Sequence, residues 1–240
     1  MTEFDEAVPL LAGAEVDPAV FDLRPDYRAV LLAVDGLSPA PSDEVGDALL
    51  RRAEAAARAL LAGQPVEHLP HVAAWREAYR AFGAKPQRTR NSVEALLRRA
   101  EAGLPRVNRL TDLYNAISVL HQIPLGGEDL ARYRGSPRLL RATGEESFDT
   151  VAGGETVIDH PAAGEVVWCD DAGVTCRRWN WRQAQRTQLT DGTSEALFIL
   201  DALDPMTDEQ LQAATDELIT QLELLGPDVR VASRTLSITT

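Results

Sequence analysis

The chain reads as an α+β fold: helices in the first half packed on a mainly antiparallel or mixed sheet drawn from the second. Amphipathic stripes at helical spacing fill residues 42 to 122, and short β-type runs separated by Gly, Asp, Asn and Pro clusters begin at Pro137. Strands and crossover helices do not alternate, so a parallel doubly wound sheet is not expected. The 240 residues, 45% hydrophobic and 25% charged, suffice for a real core.

The opening residues MTEFDEAVPLLAGAE are acidic where a secretory or transit peptide needs basic ones. Residues 1–20 are read as a flexible acidic lead and 21–240 as one domain. No apolar run nears the roughly 18 residues of a membrane helix, which points to a cytoplasmic protein with no membrane partner.

Tyr27 to Leu37, YRAVLLAVDGL, is a continuous apolar run closed by Asp-Gly and fits a buried strand. A Pro/Ser loop then delivers Ser42 as N-cap, with Asp43 and Glu44 in the first turn. Val45, Leu49, Ala53, Ala56 and Leu60 form the apolar stripe of that helix, and Gly63 stops it. Val72, Trp75, Tyr79 and Phe82 mark a second helix ended by Gly83, its aromatics placed in the core. Asn91 with Glu94 resembles a capping box opening a third, with Val93, Leu96, Leu97 and Ala100 inward.

The fourth helix carries two faces. Leu110, Leu113, Ile117 and Leu120 form the buried one, while Asn108, Asp112, Asn115 and Gln122 collect elsewhere, meeting water or lining a pocket. Asp112 and Asn115 equally suit a structural hydrogen-bond network. Pro124 and the Gly126-Gly127 pair forbid continuation and predict a glycine turn before Glu128 and Asp129. RLLRA, ETVID, EVVWCD, VTCRRW and ALFILDAL follow as strands, Thr207 with Gln210 opens a last helix, and VRVASRTLSI closes the sheet.

Cys169 and Cys176 are too few for a zinc site and flank a hairpin turn, where one register sets them opposite each other as buried thiols. Phosphate-loop, dinucleotide, HExxH and GxSxG patterns are missing, and the four histidines have no acid or cysteine at ligand spacing. No metal and no cofactor are therefore expected. Net charge of −13 argues against broad binding of nucleic acid, DNA included. The arginines form local clusters that either pair with acids on solvated faces or touch RNA locally.

The order RAFGAKPQRTRNSVEALLRRAEAGLPRVNRLTDLYNAISVLHQIPLGGEDL, then LLRATGEESF, then GEVVWCDDAGVTCRRWNWRQAQRTQLTDGT, resembles stand-alone relatives of the B3/B4 domain of the phenylalanyl-tRNA synthetase beta subunit. In that synthetase the module hydrolyses wrongly attached amino acid from tRNA. The resemblance covers Tyr27 to Leu236 and implies the B3/B4 fold, aminoacyl-tRNA or an amino-acid-like small molecule as ligand, and deacylation in trans.

On matching positions, TDLYN followed by IPLGGED stands where the family pattern resembles VDVTN followed by QPMHAFD. Gly126 falls where the family has the histidine of its pocket and Tyr114 where it has a threonine; the family's editing glutamate has no counterpart. The resemblance, with the polar helix face, names Glu128, Asn115 and Glu146 as catalytic candidates. Asn108, Arg109, Asp112, Gly126, Gly127, Asn180 and Thr193 are substrate-binding candidates, and Arg106, Arg178 and Arg182 candidate RNA contacts. The alternative is a catalytically silent binding module for an amino acid or small ligand, or a protein-interaction domain.

Overall fold

The computed structural model describes residues 4–238. A four-stranded antiparallel sheet is its centre: β2 (Arg28–Asp35), β10 (Ala196–Ala202), β3 (Leu125–Asp129) and β11 (Arg230–Ser237), in the order β11-β2-β10-β3. Continuous burial along β2 and β10 reflects apolar side chains on both faces, because both faces of this sheet are covered.

One face packs on α6 (Arg109–His121) and α7 (Asp208–Glu223) through Leu32, Val34, Phe198, Leu200, Leu113 and Leu218. Behind α6 lie α3 (Glu44–Leu61) and α5 (Ser92–Arg99), closing a helical core around Leu50, Leu97 and Val119. The other face meets α4 (Pro70–Ala81) and a second sheet of β1 (Glu15–Val16), β4 (Arg138–Arg141), β7 (Val166–Asp170), β8 (Gly173–Arg177) and β9 (Arg182–Gln183). Tyr27, Leu31, Trp75, Tyr79, Trp168 and Trp179 fill that interlayer. A hairpin of β5 (Phe148–Ala152) and β6 (Glu155–Asp159) stands apart, its turn at Gly153-Gly154 with positive φ at both glycines. The α+β class read from the sequence is the class observed.

Four local expectations change. The lead read as flexible carries α1 (Phe4–Ala12) and α2 (Pro18–Phe21), and Leu11, Ala14 and Val20 are buried in the interlayer core, so the packing does not break at residue 20. The stripe of α3 is turned: Val45 is 69% exposed and Ala56 exposed, while Leu50, Ala53 and Ala57 are buried, and Asp43 rather than Ser42 caps the helix by accepting from the Gly46 N–H at 2.8 Å. Asn91 caps α5 as expected, accepting from the Glu94 N–H at 2.8 Å, but the Glu94 carboxylate goes to Arg76 and Arg98 instead of closing the box. Cys169 pairs with Val174 and Trp168 with Cys176 across a bulge, so the thiols are not opposite; both are free and lie in different cores.

The glycine turn is also corrected. Leu125–Asp129 is a buried strand, and neither Gly126 nor Gly127 has positive φ. Gly127 is required by space: a Cβ there would meet Leu189 Cδ1 and Phe198 Cε1 at 2.8 Å. The break between α6 and β3 is made instead by Gln122 at φ 54° and by Pro124.

Candidate functional site: a cavity between the two sheets

The period of two along β3 and β10 sets Gly126, Glu128, Ile199 and Asp201 on one face, opposite the second sheet. Trp168 and Cys176 come down from that sheet, and α5 and α6 bring Ser92, Arg99, Tyr114 and Asn115 to the side. Between them is a cavity of about 240 Å³, closed by the turn Trp179 to Gln183. That turn holds two consecutive residues at positive φ, Arg178 at 49° and Trp179 at 67°. Such angles are strained for bulky side chains and persist only where the surroundings fix them. Here the Trp179 N–H donates to the Val166 carbonyl at 2.6 Å and its ring is buried against Trp75 and Tyr27.

Two carboxyls lie inside. Burial pushes the Glu128 carboxyl up to about 7, against the opposing hydrogen bonds of Tyr133 and Thr175. Its Oε2 accepts from the Tyr133 hydroxyl. The bulge in β8 falls at Thr175, whose hydroxyl meets the Tyr133 hydroxyl at 3.3 Å. Burial likewise pushes Asp201 up to about 7. Its Oδ1 accepts from the Tyr27 hydroxyl at 2.6 Å and its Oδ2 from Asn180 Nδ2 at 3.2 Å. Asn180 Oδ1 in turn accepts from the Tyr79 hydroxyl at 3.0 Å.

Asn115 is 7% exposed, and its side-chain amide has no hydrogen-bond partner among the described residues. A buried amide left open toward a cavity is what a ligand or ordered water satisfies. The Ser92 hydroxyl is also buried without a partner. At the mouth, Arg99 and Arg182 have no carboxylate partner among the described residues, and Arg178 and Arg182 stack on Trp181 at 4.3 and 4.5 Å.

Of the residues singled out from sequence, Glu128, Asn115, Gly126, Asn180 and Arg182 line this cavity, and Arg178 flanks its mouth. The others do not meet it. Asn108 caps α6, accepting from the Thr111 N–H at 2.9 Å, and Arg109 pairs with Asp43 at 2.8 Å on another surface. Asp112 accepts from the Val107 N–H at 2.7 Å and from the Ser42 hydroxyl, a clasp that fastens two loops to α6. Gly127 faces the helical side, Thr193 donates to Asp129 at 2.9 Å, and Glu146 accepts from Thr143 and Gly144 N–H groups in an exposed turn. Arg106 is held by Glu54 and Asp47.

Asp201, Ser92, Arg99 and Trp168 were missed. Asp201 stands in the apolar run ALFILDAL, and an acid on the buried face of a strand was the available signal. Among the described residues no group of three or more His, Cys, Asp or Glu converges as a metal site, and no helix is long and apolar enough to cross a membrane.

The family model described as B3/4 domain matches residues 74–221. Among solved structures, an N-terminal fragment of the phenylalanyl-tRNA synthetase beta-subunit from Pyrococcus horikoshii is similar, with TM-score 0.49 and 12% identity over 94% of this chain. This chain spans 50% of that fragment. No protein with a curated description matches.

Proposed function

Since the chain belongs to the B3/4 domain family, with more than half of its length matched, we propose that its inter-sheet cavity binds the amino-acid ester end of an aminoacyl-tRNA and hydrolyses it in trans. The observation that carries this reading is a buried carboxyl titrating near neutrality beside an unpartnered amide in one cavity. A general base works best with a pKa near the working pH, and Glu128 meets that condition.

In the reaction, the Glu128 carboxylate takes a proton from a water as its oxygen attacks the ester carbonyl. The tetrahedral oxyanion is met by the Asn115 amide N–H. On collapse the bond from the carbonyl carbon to the ribose oxygen breaks, and the proton passes to that oxygen, releasing free amino acid and a tRNA hydroxyl. The mouth arginines Arg99 and Arg182 hold phosphates of the acceptor end locally, which suits an acidic chain. Arg106 and Arg178 are set aside from this role, because the guanidinium of Arg106 is engaged by two carboxylates and that of Arg178 by Glu165 and Thr89.

One observation favours the second reading, a silent amino-acid or small-ligand module. Gly126 leaves the cavity floor without a side chain where the resemblance implies an imidazole. Deacylation of a panel of mischarged tRNAs by the purified chain separates the two. Under the first reading the wild type hydrolyses at least one, and Glu128→Gln lowers the rate on the order of a hundredfold or more. Absence of hydrolysis across the panel, with saturable amino-acid binding, establishes the second.

A further inference from the structure

The two cavity carboxyls share an unusual property: among the described residues, neither has a cation for a hydrogen-bond partner. Asp201 is met by Tyr27 and Asn180, and Glu128 by Tyr133 and Thr175, all neutral donors. The cation that acts on Glu128, Arg186, is itself held by Asp170 at 2.8 Å. Buried carboxylates ordinarily come with a paired positive charge. The mouth shows the converse, with Arg99 and Arg182 lacking any carboxylate among the described residues. Acid inside and base outside is complementary to a ligand carrying a cation on its inner end and an anion on its outer end.

We propose that the cavity floor is an ammonium subsite, in which Asp201 receives the free primary amine of the ligand and Asn115 fixes the group next to it. The subsite rests on the cavity being the substrate site, and it makes an unblocked amine a requirement for binding. Three features specify it beyond an acidic pair. Asn115 is more than nine-tenths buried, unpartnered among the described residues, and lines the same space. Asn180, presented by the strained turn, donates to one Asp201 oxygen and Tyr27 to the other, which fixes the carboxyl in orientation. Trp168, Trp179, Leu125 and Ile199 supply apolar walls for the body of the ligand.

An ammonium bound there draws Asp201 into its ionised form. The groups facing Asp201 are Tyr27 on β2, Tyr79 on α4, Cys176 on β8 and Glu128 on β3. Burial holds the two phenols and the thiol far above neutrality, so Glu128 is the other group among them that titrates with Asp201.

The test is tryptophan fluorescence titration of the full chain with 3-methylbutylamine and 2-phenylethylamine, each against its N-acetyl derivative, from pH 5.5 to 8.5. These amines stay protonated throughout, so the protein's own groups set the profile. The expected result is saturable binding of at least one amine, about tenfold or more tighter than its N-acetyl form at pH 8, with the gap narrowing as pH falls below 7. Asp201→Asn, checked for folding by circular dichroism, is expected to close the gap. Equal affinity of amine and N-acetyl forms for the wild type overturns the proposal, as does no saturable response to either amine or a gap that survives Asp201→Asn. The wild-type comparison stands even where the variant unfolds. Running tRNA deacylation in parallel keeps the two readings apart: hydrolysis without amine preference removes the ammonium subsite alone, and amine preference without hydrolysis removes the deacylase alone.

Discussion

Glu128 and Asp201 are nearly fully buried carboxyls that reach solvent only through the cavity, and most of what the cavity can do chemically depends on those two positions. If Glu128 is the general base, hydrolysis rises with pH as its carboxyl ionises around 7 and levels off above, and Glu128→Gln removes both the activity and that inflection. A pH–rate profile checks both. The glycine pair beside it makes a sharper structural contrast. Gly127→Ala drives a methyl into Leu189 and Phe198 and is expected to lower stability by about 1 to 3 kcal/mol. Gly126→Ala meets only Gln183 Nε2, at 3.2 Å, an amide that donates to the Gly127 carbonyl at 2.7 Å and has to give by a few tenths of an ångström, so its effect on the melting temperature should be smaller than that of Gly127→Ala. The sequence displays two adjacent glycines and suggests one reason for both. Their separate reasons, packing for one and open cavity for the other, arise because neighbouring strand residues face opposite layers.

At the scale of elements, α4 is pinned to the central sheet by His71. Its Nε2 accepts from the Trp75 indole N–H and the Leu203 N–H, each at 3.1 Å, so the proton is on Nδ1, which donates to the Gln122 carbonyl at 2.9 Å. Burial pulls its pKa down to about 4. The folded value lies below the unfolded one near 6.5, so this contribution is complete above 6.5 and is lost as pH falls toward 4. His71→Ala leaves two donors and a carbonyl without a partner and is expected to cost on the order of 3 kcal/mol at pH 7, read by denaturant unfolding. That difference should shrink below pH 5. From sequence, His71 stood with the other histidines as lacking an acid or cysteine at ligand spacing, because nothing local shows that the distant Gln122 carbonyl and Leu203 N–H converge on it. The α6 helix shows what is legible: its apolar face and its polar face follow from period and residue type, whereas Asn108, read as a substrate-binding candidate, is its cap. Which of its polar residues would face a cavity did not follow, since Asp112 and Asn115 lie three apart on one surface and are separated only by what packs there.

For the whole molecule, the raised carboxyls set a pH dependence opposite in sign to that of His71. The folded chain holds protons on Glu128 and Asp201 that the unfolded chain has released, so stability falls as pH rises through 7. Between pH 6.5 and 7.5 the remaining titration of unfolded His71 offsets only a minor part of the carboxyl effect, and the wild type is expected to lose roughly 1 kcal/mol per pH unit while a Glu128→Gln, Asp201→Asn double variant loses much less. Thermal melts across that window check it. Charge also divides the arginines: under the proposed function, Arg99→Ala or Arg182→Ala should weaken aminoacyl-tRNA binding and lower the salt slope by about one each. Arg106→Ala should leave the slope unchanged and reduce stability, because its guanidinium ties Glu54 and Asp47 together.

The residue pattern alone settled the α+β class, the helices α3 to α7, the long buried strands β2, β7, β8 and β10 with β4, β6 and β11, and, through resemblance, the family, but not α1, α2, β1, β3, β5 or β9. These are written in short-range periodicity and in punctuation by Gly, Pro and capping residues, which act within one or two turns of the chain. The cavity was settled by folding: Asn115 on α6, Glu128 on β3, Asn180 after β8 and Asp201 on β10 are brought to one space by two sheets stacking face to face. Pairing across that space depends on which face of each element is covered and by how much. Asp201 makes the reason concrete: in sequence it interrupts an apolar strand, and its hydrogen bonds to Tyr27 and Asn180 span separations of 174 and 21 residues that no local pattern encodes.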